Sequence, residues 1–353
     1  MTGKGQDEAQ AVPGADSGGR PEAVIVVGGS AGSFYPLREL IAGLPADLPA
    51  AVFVAIHRGE RMPSYLAEIL GRAGPLPAGQ ARDGEPIRPG RIYVAPPSRH
   101  LMTSYGRVRL SSGPRVNRHR PAVDVLFAST ARWARSRTLA VVLSGVLDDG
   151  AVGAALVAQF GGRVLVQDPA EAHFAGMPTA ALAAASGVRT LPDAELAAGV
   201  LEHLRTPTGS KLADMHHHAS EAEMDMADSD DPGFLAEEET SLTRMACPEC
   251  GGGLAQVDLP QISYFRCHIG HQYAPRTLAA AQAEAVENKL WSAVAALEEQ
   301  AALQHYLGKL NPAVRATPAA EHEQFAQRIS ERAEILREQV GQWMAQPVMR
   351  LEE

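Results

Sequence analysis

The chain has 353 residues, 45% of them apolar and 21% charged, with 32 Lys+Arg against 41 Asp+Glu and a net charge of -9. That leaves room for about two domains of ordinary globular composition and excludes wholesale disorder. Residues 208–240 hold ten acids and one base, Lys211; outside them 31 bases face 31 acids, a balance that excludes a general nucleic-acid binder.

In chain order, residues 1–20 are polar and rich in Gly, Pro, Asp and Glu, which predicts a disordered leader. The leader lacks the basic-then-apolar pattern of a secretion signal. No apolar run reaches the roughly 18 residues of a membrane span, so a cytoplasmic protein without membrane insertion is expected. Ala23–Val27 (AVIVV) is a short unbroken apolar run, as for a strand buried on both faces. Gly28–Gly32 breaks it, and Phe34, Leu37, Leu40 and Ile41 then recur at helical spacing. Ala51–Ile56 predicts a second buried strand, with a helix near Pro63–Gly71. Arg91–Ala95 and Val108–Leu110 predict shorter strands, Val123–Ala134 a helix, and Leu139–Leu143 another buried strand. Ala151–Phe160 reads as a helix, Val164–Gln167 as a strand and Thr179–Ser186 as a small helix. Buried strands alternating with helices predict an α/β domain over 21–205 with a doubly wound, mostly parallel sheet.

Residues 206–240 have no apolar periodicity and read as an acidic linker, in which His216–His218 reads as a solvated run, with loose metal binding as the alternative. A small cysteine-bearing module follows at 241–274. After Pro275 a helix is expected through about Leu307, with Leu278, Val286, Leu290, Val294 and Leu297 on one face. Gly308, Asn311 and Pro312 mark a break before a second helix from about Pro318 to Met344, striped by Phe325, Ile329, Leu336, Val340 and Trp343. The pair predicts an antiparallel helical hairpin over 275–348, a surface for packing or for a signalling partner.

Chemistry collects beyond the C-terminal ends of parallel strands. Ser30 follows the first strand, His57 the second, and Asp149 the Leu139–Leu143 strand. A hydroxyl needs a base to become a nucleophile, imidazole titrates near neutral pH, and a carboxylate fixes the imidazole tautomer. Gly28-x-Ser30-x-Gly32 suits a tight strand-to-helix elbow that aims helical N–H groups at a developing oxyanion. A glycine-rich turn after a first strand also suits a nucleotide. Against that reading, His57 stands where a dinucleotide fold puts an acid, and no Lys-Ser/Thr pair makes a P-loop.

These segments carry a family resemblance. VVGGSAGS at 26–33, the strand end at His57, IYVAPPSRHL at 92–101, HRPAVDVLF at 119–127, VVLSGVLDDGAVGA at 141–154, and QDP followed by AGMP from Gln167 onward keep one order over about half the chain. Together they resemble the catalytic domain of the chemotaxis protein-glutamate methylesterases of the CheB type. The resemblance implies Ser30 as nucleophile, His57 as base and Asp149 as its orienting partner, with Asp148 as the competing carboxylate. It implies backbone oxyanion donors at Ala31 and Val146, no cofactor for catalysis, and methylated chemoreceptor-like helices as partners. Three departures stand out. Ala31 replaces the family's Thr, and Leu147 replaces the second glycine of its Gly-Met-Gly. The roughly 20 residues before the first strand are too few for the receiver domain of the best-known members, so phosphorylation control in cis is expected to be absent.

Residues 58–137 hold fifteen Arg against five acids, a cationic stretch that would suit a Glu-rich receptor helix. A serine esterase or glutamine deamidase with another substrate is the rival enzyme, and a signalling scaffold without activity the rival non-enzyme.

Cys247-x2-Cys250, sixteen residues, then Cys267-x3-His271 is zinc-ribbon spacing. Three thiolates and an imidazole predict a closed structural zinc site, with His268 as the rival fourth ligand. So small a segment would draw much of its folding energy from metal.

Overall fold

The computed structural model describes residues 20–58, 65–205, 240–310 and 317–345. The leader to residue 19, the linker to residue 239 with His216–His218, the Pro63 helix start and the Asn311-Pro312 break lie outside the described residues. The first domain runs β1 (Ala23–Gly29), α1 (Phe34–Ala42), β2 (Ala50–Ile56), α2 (Leu66–Ala73), β3 (Ala78–Gln80) and β4 (Ile92–Val94). It continues β5 (His100–Ser104), β6 (Arg107–Ser111), α3 (Val123–Ala134), β7 (Thr138–Val142), α4 (Ala151–Gln159), β8 (Arg163–Gln167), α5 (Gly176–Ala184), β9 (Arg189–Leu191) and α6 (Leu196–Arg205).

Seven strands form one sheet in the order β3-β4-β2-β1-β7-β8-β9, and every pairing is parallel. The apolar runs are continuous because both faces are covered. Val24 and Val26 of β1 pack into a cluster with α3, α4 and α5, while Ile25 and Val27 pack into a second with α1, α2 and α6. Each such side chain contributes about 1.5–3 kcal/mol on burial. The chain winds outward from β1 through β2 and β4, then returns to β7 on the opposite flank. The crevice at this switch point opens beyond the C-terminal end of β1, where Ser30 begins the next loop.

Sequence pattern missed the short edge strands β3 and β9, helix α6, and the β5 partner with which β6 makes a separate antiparallel ribbon. The small helix begins at Gly176 and ends at Ala184, earlier than Thr179–Ser186, because Pro178 sits in its first turn, where a missing N–H costs nothing.

The second region forms an antiparallel sheet of β10 (Thr240–Ala246), β11 (Gly253–Asp258), β12 (Ser263–Cys267) and β13 (Gln272–Tyr273). It is followed by α7 (Pro275–Lys309) and α8 (Ala319–Ala345). His305 meets Glu323 at 2.9 Å and, further from the turn, Glu298 pairs with Arg337, so the helices run antiparallel. Their seam differs from the expected stripes. Val294, Ile329 and Val340 are buried as expected, but Ala301, Ala326 and Ala333 fill the rest, and Val286, Phe325 and Trp343 face solvent. Small residues let two helices approach closely, which pattern reading by large apolar residues overlooks. The sheet does not hang free: Val257, Leu259, Tyr264 and Ala274 are buried in the same cluster as Leu101, Val116 and Phe127 of the first domain. No described helix is long and apolar enough to cross a membrane.

Candidate active site

Gly29 and Ile56 are register partners at the ends of β1 and β2, so Ser30 and His57 begin neighbouring loops. The His57 N–H donates to Gly29 O at 3.1 Å, and the Ser30 N–H donates across the crevice to Ser144 O at 2.9 Å. Two glycines make this elbow possible. A Cβ on Gly28 would lie 2.1 Å from Val123 Cγ1. Gly32 has φ +79°, in the left-handed region, beside Ser144 and His173. Ser33 Oγ donates to Ser30 O at 2.6 Å and fixes the turn.

Asp149 lies in the loop after β7 and meets His57 directly, with His57 Nε2 2.6 Å from Asp149 Oδ2. The same oxygen accepts the Val123 N–H at 2.7 Å. Oδ1 accepts Asn117 Nδ2 at 2.8 Å and the N–H groups of Asp124 and Gly150 at 3.0 Å each. The carboxylate thus sits at the N-terminus of α3, where free N–H groups favour negative charge. Burial opposes ionisation, but the hydrogen bond and charge of His57, with Val123 and Asn117, outweigh it and hold the Asp149 carboxyl well below its usual range. Asp124 is pushed the other way, first by burial and then by the charge of Asp149. Two adjacent buried carboxyls therefore divide, with Asp149 carrying the charge.

Asp148, the competing carboxylate, faces the second region. Its Oδ2 accepts the Arg276 N–H at 2.6 Å, and its Oδ1 accepts Thr277 N–H at 3.0 Å and Thr277 Oγ1 at 2.5 Å. Among the described residues no hydrogen bond or ion pair joins it to His57.

With Nε2 engaged by Asp149, Nδ1 is the ring nitrogen left for Ser30. Among the described residues no hydrogen bond joins Ser30 Oγ to the ring; such bonds often tighten only when substrate binds. The loop after β7 closes over the serine, for a Cβ on Gly145 would fall 2.9 Å from Ser30 Cβ. Next to it Val146 is 48% exposed. Among the described residues neither the Ala31 nor the Val146 N–H donates a hydrogen bond, leaving two free donors beside Ser30. Leu147 keeps the left-handed conformation that a glycine would take, at φ +65°.

Two residues escaped sequence reasoning. His119 stacks on His57 with ring centroids 3.7 Å apart and planes within 14°. Burial, then the proximity of His57, lowers its pKa to about 4, so it stays neutral near pH 7. Asn117 braces Asp149 from the same turn. The signal was the HRPAVDVLF segment, which contains His119 and Asp124 but shows no spacing that points to a site.

The arginine-rich stretch is partly consumed within the chain. Arg58 donates to Ala95 O at 2.7 Å, Arg107 to Gly84 O at 2.8 Å and Arg120 to Ser112 O at 2.7 Å. Arg91 pairs with Glu85 and Arg118 with Glu284.

In the second region the donor atoms of Cys247, Cys250, Cys267 and His271 lie within 4.8 Å of one another. Cys250 and Cys267 sulfurs are 3.6 Å apart, and His271 Nδ1 is 3.7 Å from Cys247 Sγ and 3.5 Å from Cys267 Sγ. Tetrahedral zinc with bonds of about 2.0–2.3 Å would space its ligands by about 3.5–3.8 Å. Glu249 Oε2 lies 3.3 Å from His271 Nε2, the outer carboxylate that orients a ligating imidazole. His268 lies against Gly252, outside this group.

A profile of the CheB methylesterase family matches residues 25–200. The chain is 40% identical over 187 residues to protein-glutamate methylesterase/protein-glutamine glutaminase 2 of Caulobacter vibrioides, covering 52% of this chain and 54% of that one. It is 41% identical over 175 residues to the enzyme numbered 5 of Anaeromyxobacter dehalogenans, covering 48% of each. The chain therefore spans about half the length of the curated relatives it matches. The crystal structure of the Thermotoga maritima CheB methylesterase catalytic domain aligns with a TM-score of 0.47 and 31% identity, covering 51% of this chain and 97% of that one.

Proposed function

Residues 25–200 belong to the CheB methylesterase family, and we propose that the chain is a cytoplasmic serine hydrolase of glutamyl methyl esters on chemoreceptor-like helices. Ser30 Oγ attacks the ester carbonyl while His57 Nδ1 accepts its proton. Asp149, ionised and bonded to Nε2, holds the ring and stabilises the imidazolium. The Ala31 and Val146 N–H groups receive the oxyanion, a role independent of side-chain identity, so Ala31 and Leu147 leave it intact. His57 returns the proton to departing methanol. Water, deprotonated by the same ring, then attacks the acyl-enzyme and releases glutamate. The surplus of arginine over residues 58–137, fifteen against five acids, would suit an acidic helix.

The single observation that carries this reading is the 2.6 Å bond from His57, one residue beyond the β2 end that pairs with the β1 end before Ser30, to a carboxylate that accepts five hydrogen bonds and is held ionised. Ser30→Ala tests it: methanol release from methylated receptor fragments should vanish while the far-ultraviolet circular dichroism spectrum is unchanged. Retained release would remove Ser30 from the mechanism. The names of the relatives include a glutaminase, and the same groups would release ammonia from a glutamine side chain; ammonia release separates that reading from esterase activity.

Cys247, Cys250, Cys267 and His271 would hold zinc in a closed site whose contribution is folding energy, not chemistry at Ser30. The exposed face of the α7–α8 hairpin is the surface available to a signalling partner.

A further inference from the structure

We propose that Asn117 is a positioning residue through which the metal ribbon and α7 hold the catalytic His57–Asp149 pair in place. The proposal rests on the hydrolase reading above only for the meaning of the pair; the coupling itself is a matter of contacts.

The turn at 116–119 has two faces. Asn117 and Arg118 are successive non-glycine residues in the left-handed region, at φ +50° and +67°. Such a turn persists only where its surroundings over-determine it. The second region supplies much of that support. The Asn117 N–H donates to Gln272 O at 2.8 Å, and the Ala274 N–H donates to Asn117 Oδ1 at 2.7 Å. Val116 pairs with Gln272 as a parallel bridge, and Arg118 meets Glu284 of α7 at 2.6 Å.

The other face of the turn serves the catalytic pair. Asn117 Nδ2 donates to Asp149 Oδ1 at 2.8 Å and to Asp124 Oδ2 at 2.7 Å, and His119 stacks on His57. The amide is thus fully oriented: its oxygen is taken by the ribbon and its nitrogen by the acids. A second tie runs alongside, because Asp148, next to Asp149, receives the first N–H groups of α7 and the Thr277 hydroxyl. Ala274 lies only three residues beyond the candidate ligand His271. A change in the ribbon at His271 therefore reaches Asp149 through one side chain.

The test uses the full chain in four forms: zinc-loaded, zinc-stripped by chelator, Asn117→Ala, and Thr277→Val, whose hydroxyl bonds Asp148 and not the pair. Fluorophosphonate capture of Ser30 reads the catalytic groups whatever the natural substrate, and the low-field proton resonance of the His57–Asp149 bond reads the pair without any substrate. Amide exchange at Arg276 and Thr277 reads whether α7 has come away. Release should lower the limiting capture rate about tenfold, the scale of a weakened hydrogen bond to a charged group, with the half-saturating reagent concentration unchanged. The low-field resonance should shift or vanish, and zinc should restore both. Asn117→Ala should match the stripped chain and gain nothing from zinc. Loaded-rate capture with α7 released would overturn the coupling, and so would continued protection of α7 after stripping. If Ser30 of the loaded chain captures nothing, the hydrolase reading fails. The resonance then decides the coupling alone, since an unmoved signal on release refutes it.

Discussion

Asp149→Asn should disable the site by moving one proton. Oδ1 of Asp149 faces three donors, from Asn117, Asp124 and Gly150, so the asparagine oxygen must take that place. The amide nitrogen then replaces Oδ2, where His57 Nε2 lies at 2.6 Å and the Val123 N–H at 2.7 Å. Two consequences follow. The His57 ring must accept at Nε2, so its own proton moves to Nδ1, the nitrogen that should take the proton of Ser30. The Val123 N–H meets another donor and loses its acceptor. The first effect should lower kcat by about 10³–10⁴, or about 4–5.5 kcal/mol of barrier, the scale of the same tautomer error in other serine hydrolases. The second should cost about 1–3 kcal/mol of stability for an orphaned buried donor. KM should hardly change, because Asp149 is buried and does not reach a substrate. Methanol release at saturating substrate and urea unfolding measure the two separately. A folded variant with kcat within tenfold of the parent would refute the assignment of Asp149 and the proton placement together.

Three further predictions follow from the same contacts. The folded-state pKa of Asp149 lies below its unfolded value, so its stabilisation is complete above about pH 4 and is lost as pH falls through the folded value. The stability gap between parent and Asp149→Asn should accordingly narrow below about pH 4 in acid titrations followed by circular dichroism; a gap constant to pH 2 would contradict it. Gly28→Ala sets a Cβ 2.1 Å from Val123 Cγ1 and pushes on the residue whose N–H braces Asp149. It should cost about 1–3 kcal/mol in urea and lower kcat as well, and a fully active, fully stable variant would show that the crevice floor yields. Leu147→Gly relieves a left-handed side chain worth about 1–2 kcal/mol, offset by about 0.5–1 kcal/mol of glycine entropy. It should keep kcat and gain up to about 1 kcal/mol by thermal unfolding, whereas a loss larger than that would mean the Leu147 side chain packs usefully.

The parts of the fold legible from sequence are those whose environment is uniform along the element. β1, β2 and β7 are covered on both faces, so burial imposes an unbroken apolar run that nothing else in the chain imitates. The edge strands β3 (AGQ) and β9 (RTL) are three residues each and partly exposed, and their strand character comes from the neighbour they pair with. The α7–α8 seam was hidden for a related reason: alanine is a good helix former on any face, so Ala301, Ala326 and Ala333 carry no directional signal until a second helix is laid against them.

At the site, strand ends place a hydroxyl, an imidazole and a carboxyl near one crevice, but they do not say which of two adjacent carboxyls does the work. Asp148 and Asp149 have the same side chain and lie one residue apart, both almost fully buried. What separates them is the company each keeps. Asp149 turns toward α3 and His57, and its donors keep it ionised. Asp148 turns toward α7, where Arg276 and Thr277, more than a hundred residues on, use it as a helix cap. The family resemblance of the 141–154 segment favours Asp149, but the contacts that account for the choice lie outside that segment, half of them in the second region. The same holds for Asn117, an ordinary turn residue by sequence that becomes part of the site only once Ala274 and Asp149 approach it from opposite sides. A catalytic domain that borrows the support of its acid from another part of the chain should therefore lose activity before it loses its fold when that part is released.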